Sequence, residues 1–316
     1  MSDMMYDTLI VVAAGDFPRL QNLYHRLTEL TESRKLIFVG SKGVADLLEK
    51  SEMKGKAEWI DEDSILPFDA VHALMKERLA TLLAGGELPR GVTGWYYQQF
   101  LKMKYALQCA DEFYMVWDGD TVPCRKIGMF SEENRPFLDY KTEYKAEYFE
   151  IMGRLVPGLR KFISKSFISE HMLINCGIMK ELLGKIEAND AIPGKEFWEK
   201  ILNCIKTEEI QEAVFSEFET YGSYVALCHP DAYRLREWHS FRLGGEFFNT
   251  KTISKRDFAW LGRDFDAISF EKGHTVREDH KDLFDNPYYQ EKLGPRQMLE
   301  AVQDLFNGGM VEVWEK

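Results

Sequence analysis

Four short apolar runs, spaced by stretches with helical periodicity, confine the first 117 residues to alternating strands and helices. The runs are Thr8 to Ala14, Lys35 to Val39, Ala57 to Ile60, and Met115 to Trp117. Between them, Leu20, Leu23, Tyr24, Leu27 and Leu30 recur at helical spacing. So do Val44, Leu47 and Leu48 behind the N-cap Ser41, and Val71, Leu74, Met75, Leu79 and Leu82 behind Pro67. Gly85-Gly86 stops that third helix, and a fourth, from Trp95 to Ala110, leads into the last run. A β-α-β-α order implies an α/β fold, its central sheet mostly parallel, with right-handed crossovers and flanking helices.

The second half is less regular. Helices are expected near Glu147 to Leu155, Ile178 to Ile186, Lys195 to Ile205 and Glu208 to Tyr221. From Tyr233 the sequence YRLREWHSFRL partly alternates and reads as strand, as does Ala267 to Phe270. Arg296 to Phe306 reads as a closing amphipathic helix.

The formal charge of −12 argues against nucleic acid or an anionic membrane as the main partner. The five cysteines are scattered without CxxC spacing, which suggests neither a zinc site nor a disulfide framework. The run from Thr8 to Ala14 is too short to span a bilayer, and Asp3 and Asp7 precede it where a signal peptide would be cationic. The expectation is a reduced, cytoplasmic protein without a transmembrane segment, able to work beside a membrane.

Met115-Val-Trp117 reads as a strand buried on both faces. It delivers Asp118 and Asp120, separated by Gly119, to the carboxyl edge where open α/β sheets bind ligands. Two hard oxygen donors on a tight turn suit a divalent cation that keeps positions open for phosphate oxygens. The plainer reading is ordinary Asp-Gly-Asp turn chemistry, in which glycine supplies a positive φ. On the preceding helix, Phe100, Met103 and Leu107 form an apolar stripe. Gln98 and Lys102 are four apart, Gln99 and Lys102 three apart. That face would hold a diphosphate or sugar hydroxyls, or would simply meet solvent.

The pattern W-Y-x-Q-Q-x-x-K, followed by a hydrophobic strand ending in D-x-D-T, resembles a family of bacterial glycosyltransferases with the GT-A (nucleotide-diphospho-sugar transferase) fold, found in capsule and O-antigen polysaccharide synthesis. The blocks from Tyr148 to Met152, Ser166 to Met172 and Ser216 to Gly222 are similar as well. The resemblance implies a nucleotide-sugar-binding and catalytic domain over residues 1–230. Residues 231–316 would form a smaller C-terminal strand and helix extension packed on it. It implies a nucleoside diphosphate sugar as donor, UDP-hexose by default, and Mn²⁺ or Mg²⁺ on Asp118 and Asp120. The acceptor would be a glycan or lipid-linked glycan, met at the inner face of the cell membrane beside an assembly complex. Ala13, Gly15, Asp16, Gly40 and Ser41 would line the nucleotide pocket with Gly119, and Asp61 or Asp63 would meet base or ribose. Loop and capping duty is the plainer role for these positions.

For the acceptor side, His171, Glu217 and Glu219 are the catalytic candidates. A histidine in an apolar segment is otherwise a hydrogen-bonded core residue. On a helix the two glutamates point in roughly opposite directions, so only one should face a cleft. His239 is a candidate third metal ligand, although the H-x-x-G-x-x-K-P-W pattern of the glycogenin-like branch is absent. Arg234 and Arg236 could meet diphosphate oxygens. Two other readings compete. Asp118-Gly-Asp120-Thr-Val122 also fits the D-x-D-x-V motif of haloacid-dehalogenase-like phosphatases, and a non-catalytic GT-A-like protein would bind sugar nucleotide or a partner without transfer.

Overall fold

The computed structural model describes residues 5–142, 144–278 and 283–306. In chain order its strands are β1 (Asp7–Val11), β2 (Leu36–Gly40), β3 (Ala57–Asp61), β4 (Phe113–Trp117), β5 (Thr121–Pro123), β6 (Phe137–Tyr140), β7 (His171–Asn175), β8 (Arg234–Glu237), β9 (Ser240–Phe241) and β10 (Ala267–Ser269). The fold is α/β, with a mostly parallel central sheet of order β3-β2-β1-β4-β7 flanked by helices, as the alternation predicts. β1 pairs in parallel with both β2 and β4, and β7 runs antiparallel to β4.

Side-chain alternation sends Leu9, Ile37 and Val116 into one core. Ile10, Phe38, Met115 and Trp117 enter another on the opposite face. β4 is buried along its whole length. Each apolar side chain such as Met115 or Val116 contributes roughly 1.5–3 kcal/mol by leaving water, so the strand carrying the Asp-Gly-Asp turn is firmly anchored. Beyond the turn, β5 pairs with β10 and β10 with β9, while β6 pairs with β8. The segments after residue 230 thus brace the elements that follow β4.

Four expected helices differ. The stretch carrying Leu20 to Leu30 splits into Phe17–Leu20 and His25–Leu30, and that carrying Val71 to Leu82 into Phe68–Arg78 and Ala80–Leu83. The segment from Glu208 to Tyr221 is broken: a 3₁₀ helix covers Thr207–Glu212, Ala213 has φ 52°, and a new helix runs Glu217–Cys228. Ser216 starts that helix by accepting from the Glu219 amide, a capping role that competes with helix continuation. The helix before β4 runs Arg90–Lys104 and tightens to 3₁₀ over Tyr105–Leu107. The tighter winding turns Leu107 out of the stripe to 52% exposure, whereas Phe100 and Met103 are fully buried. Among the described residues no helix is long and apolar enough to cross a membrane.

Candidate active site at the carboxyl ends of β1 and β4

The strand order reverses between β1 and β4, since the chain moves from β1 outward through β2 and β3 and then returns to β4 on the other side. Loops diverge at such a switch point and leave a crevice at the carboxyl edge. A cleft of about 670 Å³ lies there. The end of β1 supplies Val11 to Ala14, the turn after β4 supplies Asp118, Gly119 and Asp120, and the Arg90–Lys104 helix supplies Arg90, Trp95 and Gln98. Asp16, Arg19, Ser41, Glu62, Phe68 and Lys272 are also at its wall.

Backbone bonds fix the turn, so its shape does not draw on the two carboxylates. The Asp118 amide donates to the Glu170 carbonyl (2.8 Å), and the Thr121 amide to the Asp118 carbonyl (3.1 Å). Tyr24 Oη donates to the Gly119 carbonyl (3.0 Å), and the Phe270 amide to the Asp120 carbonyl (2.7 Å). Gly119 does not have a positive φ, and a Cβ there would meet neighbours at ordinary distances of 3.4–3.5 Å. The turn therefore does not owe its shape to glycine.

Lys102 is buried rather than solvent-facing. Its Nζ donates to Asp118 Oδ1 (2.6 Å) and Glu217 Oε1 (2.7 Å). Burial alone would lower the ammonium pKa, but the two carboxylates outweigh it and hold it raised. The Glu217 carboxyl is pushed up by burial and by Asp118, against the pull of Lys102. Asp120 lacks such a cation. Burial, Asp118 and Glu271 push its carboxyl up to about 6, with Thr121 and Arg19 opposing.

The expected site residues separate into two groups. Ala13, Asp16, Ser41, Gln98, Asp118, Gly119 and Asp120 line the cleft. Lys102 reaches it through Asp118, with Glu217 behind both. Gln99 is one step further back, where its Oε1 accepts from the Glu217 amide (3.0 Å). Gly15 and Gly40 do not line the cleft. A Cβ on Gly40 would lie 2.5 Å from the Val12 carbonyl oxygen, so this glycine permits close packing. Asp61 caps the Asp63 amide and Asp63 the Phe68 amide, whereas the residue between them, Glu62, enters the cleft.

His171, Glu219 and His239 also lie away from it. His171 is buried, with its Nε2 2.8 Å from Asp139 Oδ2 and its Nδ1 2.8 Å from the Ser169 carbonyl; Trp117 and Trp238 pack against the ring. Glu219 accepts from Ser166 Oγ (2.8 Å) and the Phe167 amide (3.0 Å), which opposes Glu217 across the helix as the spacing predicts. Neither glutamate is a surface residue. His239 meets Arg296 at its Nδ1 (3.2 Å). Arg234 pairs with Glu133 and Arg236 with Asp139, so their charges are used within the fold. Sequence reasoning missed Glu62, Arg19, Arg90 and Lys272. Only Glu62 had a signal, being the third acid of the Asp61-Glu62-Asp63 run at a strand end.

Fold and site together define an α/β protein with a carboxylate-lined cleft at the switch point of its sheet. The chain belongs to a family of unknown function, DUF6492, whose model matches residues 10–307. No curated protein matches it. Among solved structures, mouse xyloside xylosyltransferase 1 in apo form is similar at 10% identity, covering 86% of this chain and 100% of that one, with a TM-score of 0.44. Galactosyltransferase LgtC in complex with donor and acceptor sugar analogues is similar at 12% identity, covering 91% and 100%, with a TM-score of 0.39. The bifunctional glycosyltransferase WbbM in apo form shares 11% identity over 95% of this chain and 52% of its own, with a TM-score of 0.41.

Proposed function

We propose that the protein is a metal-dependent glycosyltransferase of the GT-A type, moving a sugar from a nucleoside diphosphate donor, UDP-hexose by default, to a glycan acceptor. The observation that carries this reading is the Asp118 and Asp120 pair at the switch-point cleft. One Asp118 oxygen is held by Lys102, Asp120 takes a single side-chain hydrogen bond from Thr121, and its raised pKa marks carboxylate charge that the fold leaves uncompensated. A hard divalent cation fits that pair. Among the described residues no three His, Cys, Asp or Glu side chains cluster to ligate a metal, so Mn²⁺ or Mg²⁺ would sit on these two and complete its shell with phosphate oxygens and water. Bound there, the ion would supply Lewis-acid neutralisation of charge on a departing diphosphate.

The chain's own residues divide the remaining work. Lys102, braced by Glu217, orients the Asp118 carboxylate. Arg19 and Gln98 face the diphosphate and sugar, and Glu62 accepts hydrogen bonds from the nucleoside beside Phe68. Glu217 is a positioning residue, whereas Glu219 and His171 hold the fold. The acceptor in this reading is a glycan or lipid-linked glycan of a bacterial surface polysaccharide, met at the cytoplasmic face of the membrane.

The test is the melting temperature of the full chain with UDP, GDP, CMP or dTDP, each with Mn²⁺, Mg²⁺ or EDTA. A nucleotide at about a hundred times its Kd stabilises the fold by about 2.7 kcal/mol, a shift of several degrees. One nucleotide should raise the melting point only with metal, and Asp118→Ala should abolish the shift. No shift with any nucleotide, or metal-dependent hydrolysis of phosphomonoesters through an aspartyl-phosphate at Asp118, would overturn the reading.

A further inference from the structure

Between Glu150 and Glu170 the chain carries no Asp or Glu, yet it holds Arg154, Arg160, Lys161 and Lys165, in a protein with 52 acidic and 40 basic residues. The structure gathers the later part of this stretch with exposed aromatic rings. Lys141 and Ser166 exchange backbone hydrogen bonds of 2.8 and 3.0 Å, closing the base of an excursion that contains the helix Ala146–Leu155. Ile151, Met152 and Leu155 bury one side of that helix, and Glu219 clamps Ser166 and Phe167 from below. The segment entering the helix carries Tyr144, 64% exposed, and the loop that follows it carries Phe162, 59% exposed. These are the two most exposed large hydrophobic side chains among the described residues. Tyr144 stacks on Phe149 with centroids 5.4 Å apart, and the Lys161 ammonium lies 4.2 Å from the Phe149 ring centre and 5.3 Å from that of Tyr144. None of these residues lines the cleft.

Rings beside cationic stems match the headgroup layer of a bilayer, where the ring sits at the apolar boundary and the charge meets lipid phosphate. The excursion as a whole carries six Lys and Arg against Glu143, Glu147 and Glu150, whereas the rest of the chain is strongly acidic, so an anionic surface is favoured to meet the protein here. We infer that the excursion docks the protein on an anionic lipid bilayer through Tyr144, Phe162, Arg160, Lys161 and Lys165. This stands independently of the transferase reading.

Co-sedimentation of the full chain with vesicles tests it, using phosphatidylcholine alone or mixed with phosphatidylglycerol. The protein should pellet only with the anionic vesicles, and less as salt is raised. Arg160→Gln with Lys165→Gln should weaken partitioning by about thirtyfold, while Lys54→Gln with Lys126→Gln, the same charge change elsewhere on the surface, should leave it intact. Phe162→Ser should weaken it several-fold without altering the salt dependence. No binding of the wild type to anionic vesicles would overturn the inference, and so would equal binding by the two double variants. Retained binding by Phe162→Ser would overturn the part assigned to that ring.

Discussion

Two carboxylate clusters flank the β4–β7 pair, and the fold treats them in opposite ways. Around Asp139 and Glu170 every charge has an internal answer. Arg236 donates two hydrogen bonds to Asp139, at 2.6 and 2.7 Å, and His171 approaches the same group at 2.8 Å. Glu170 accepts from Lys141 (2.7 Å), Ser240 (2.8 Å) and Trp238 (2.9 Å). Burial would raise both carboxyl groups, but these partners win and hold both pKa values down. At Asp120 the balance is reversed, and its pKa is raised. A buried carboxylate that is fully answered belongs to the scaffold. One left partly unanswered at a cleft is a candidate for holding a ligand.

Breaking the answered cluster should have the largest effect on stability. Asp139→Ala leaves Arg236 and His171 facing each other without their shared anion, a loss of about 3–5 kcal/mol. Thermal unfolding should fall by roughly 6 °C or more. Asp120→Ala removes a carboxylate the native state would rather protonate, so its melting point without metal should stay near that of wild type or rise. An equal drop in both variants would erase the distinction between the clusters.

Lys102 joins the two regimes, because it is as buried as the Asp139 cluster yet pairs with the cleft. Lys102→Met should cost somewhat less than Asp139→Ala, since Glu217, already raised, can take up a proton. Adding Glu217→Gln to that variant should restore more than half of the lost stability, measured as a double-mutant cycle. Additive losses would mean that the two residues are not coupled.

The scaffold was legible where a single element carries its own pattern. The four strands of the parallel core, the buried strand ahead of Asp118, and the opposed directions of Glu217 and Glu219 all follow from period and spacing. The cleft was legible from the strand ends nearest the switch point and from Gln98 on the helix before β4. Lys102 looked equally suited to solvent, because its burial depends on Glu217, far away in sequence, coming to meet it. His171 could not be placed from its segment alone, since Asp139 on β6 and Trp238 just after β8, which enclose it, come from distant parts of the chain. Arg19, Arg90 and Lys272 belong to loops and helix starts with no pattern of their own. Only the folded chain brings them to one wall.

The clusters should also answer pH with opposite signs. Asp139 and Glu170 have lowered folded pKa values. Their contribution to stability is full above the ordinary carboxylate range and lost as pH falls through those lowered values, an acid limb below about pH 4. Asp120 is raised from 3.8 to about 6. Its contribution is full below 3.8 and lost as pH rises through about 6. In EDTA, Asp120→Asn should therefore flatten the decline in melting temperature between pH 4 and 6 and leave the acid limb unchanged. Asp139→Asn should reshape the acid limb alone. Identical profiles for the two variants would remove the electrostatic basis of the contrast.

The smallest expected effect concerns Glu62, the acid at the far wall of the cleft. Its carboxyl is raised by burial and by Asp63 and Asp61, against the opposing charge of Arg90. Like Asp120, it is an acceptor at the cleft wall that the fold holds above its ordinary pKa. If it receives hydrogen bonds from the nucleoside, Glu62→Gln keeps the shape and one acceptor but loses the charge. A hydrogen bond to a charged group is worth about 1.5–3 kcal/mol and a neutral one about 1, so nucleotide affinity should fall by roughly twofold to thirtyfold, with the metal requirement unchanged. Asp63→Asn, one residue along, alters a cap for the Phe68 amide and should leave affinity untouched. A loss of affinity in Asp63→Asn but not in Glu62→Gln would return the nucleoside contact to Asp63, one of the two positions that the sequence alone offered.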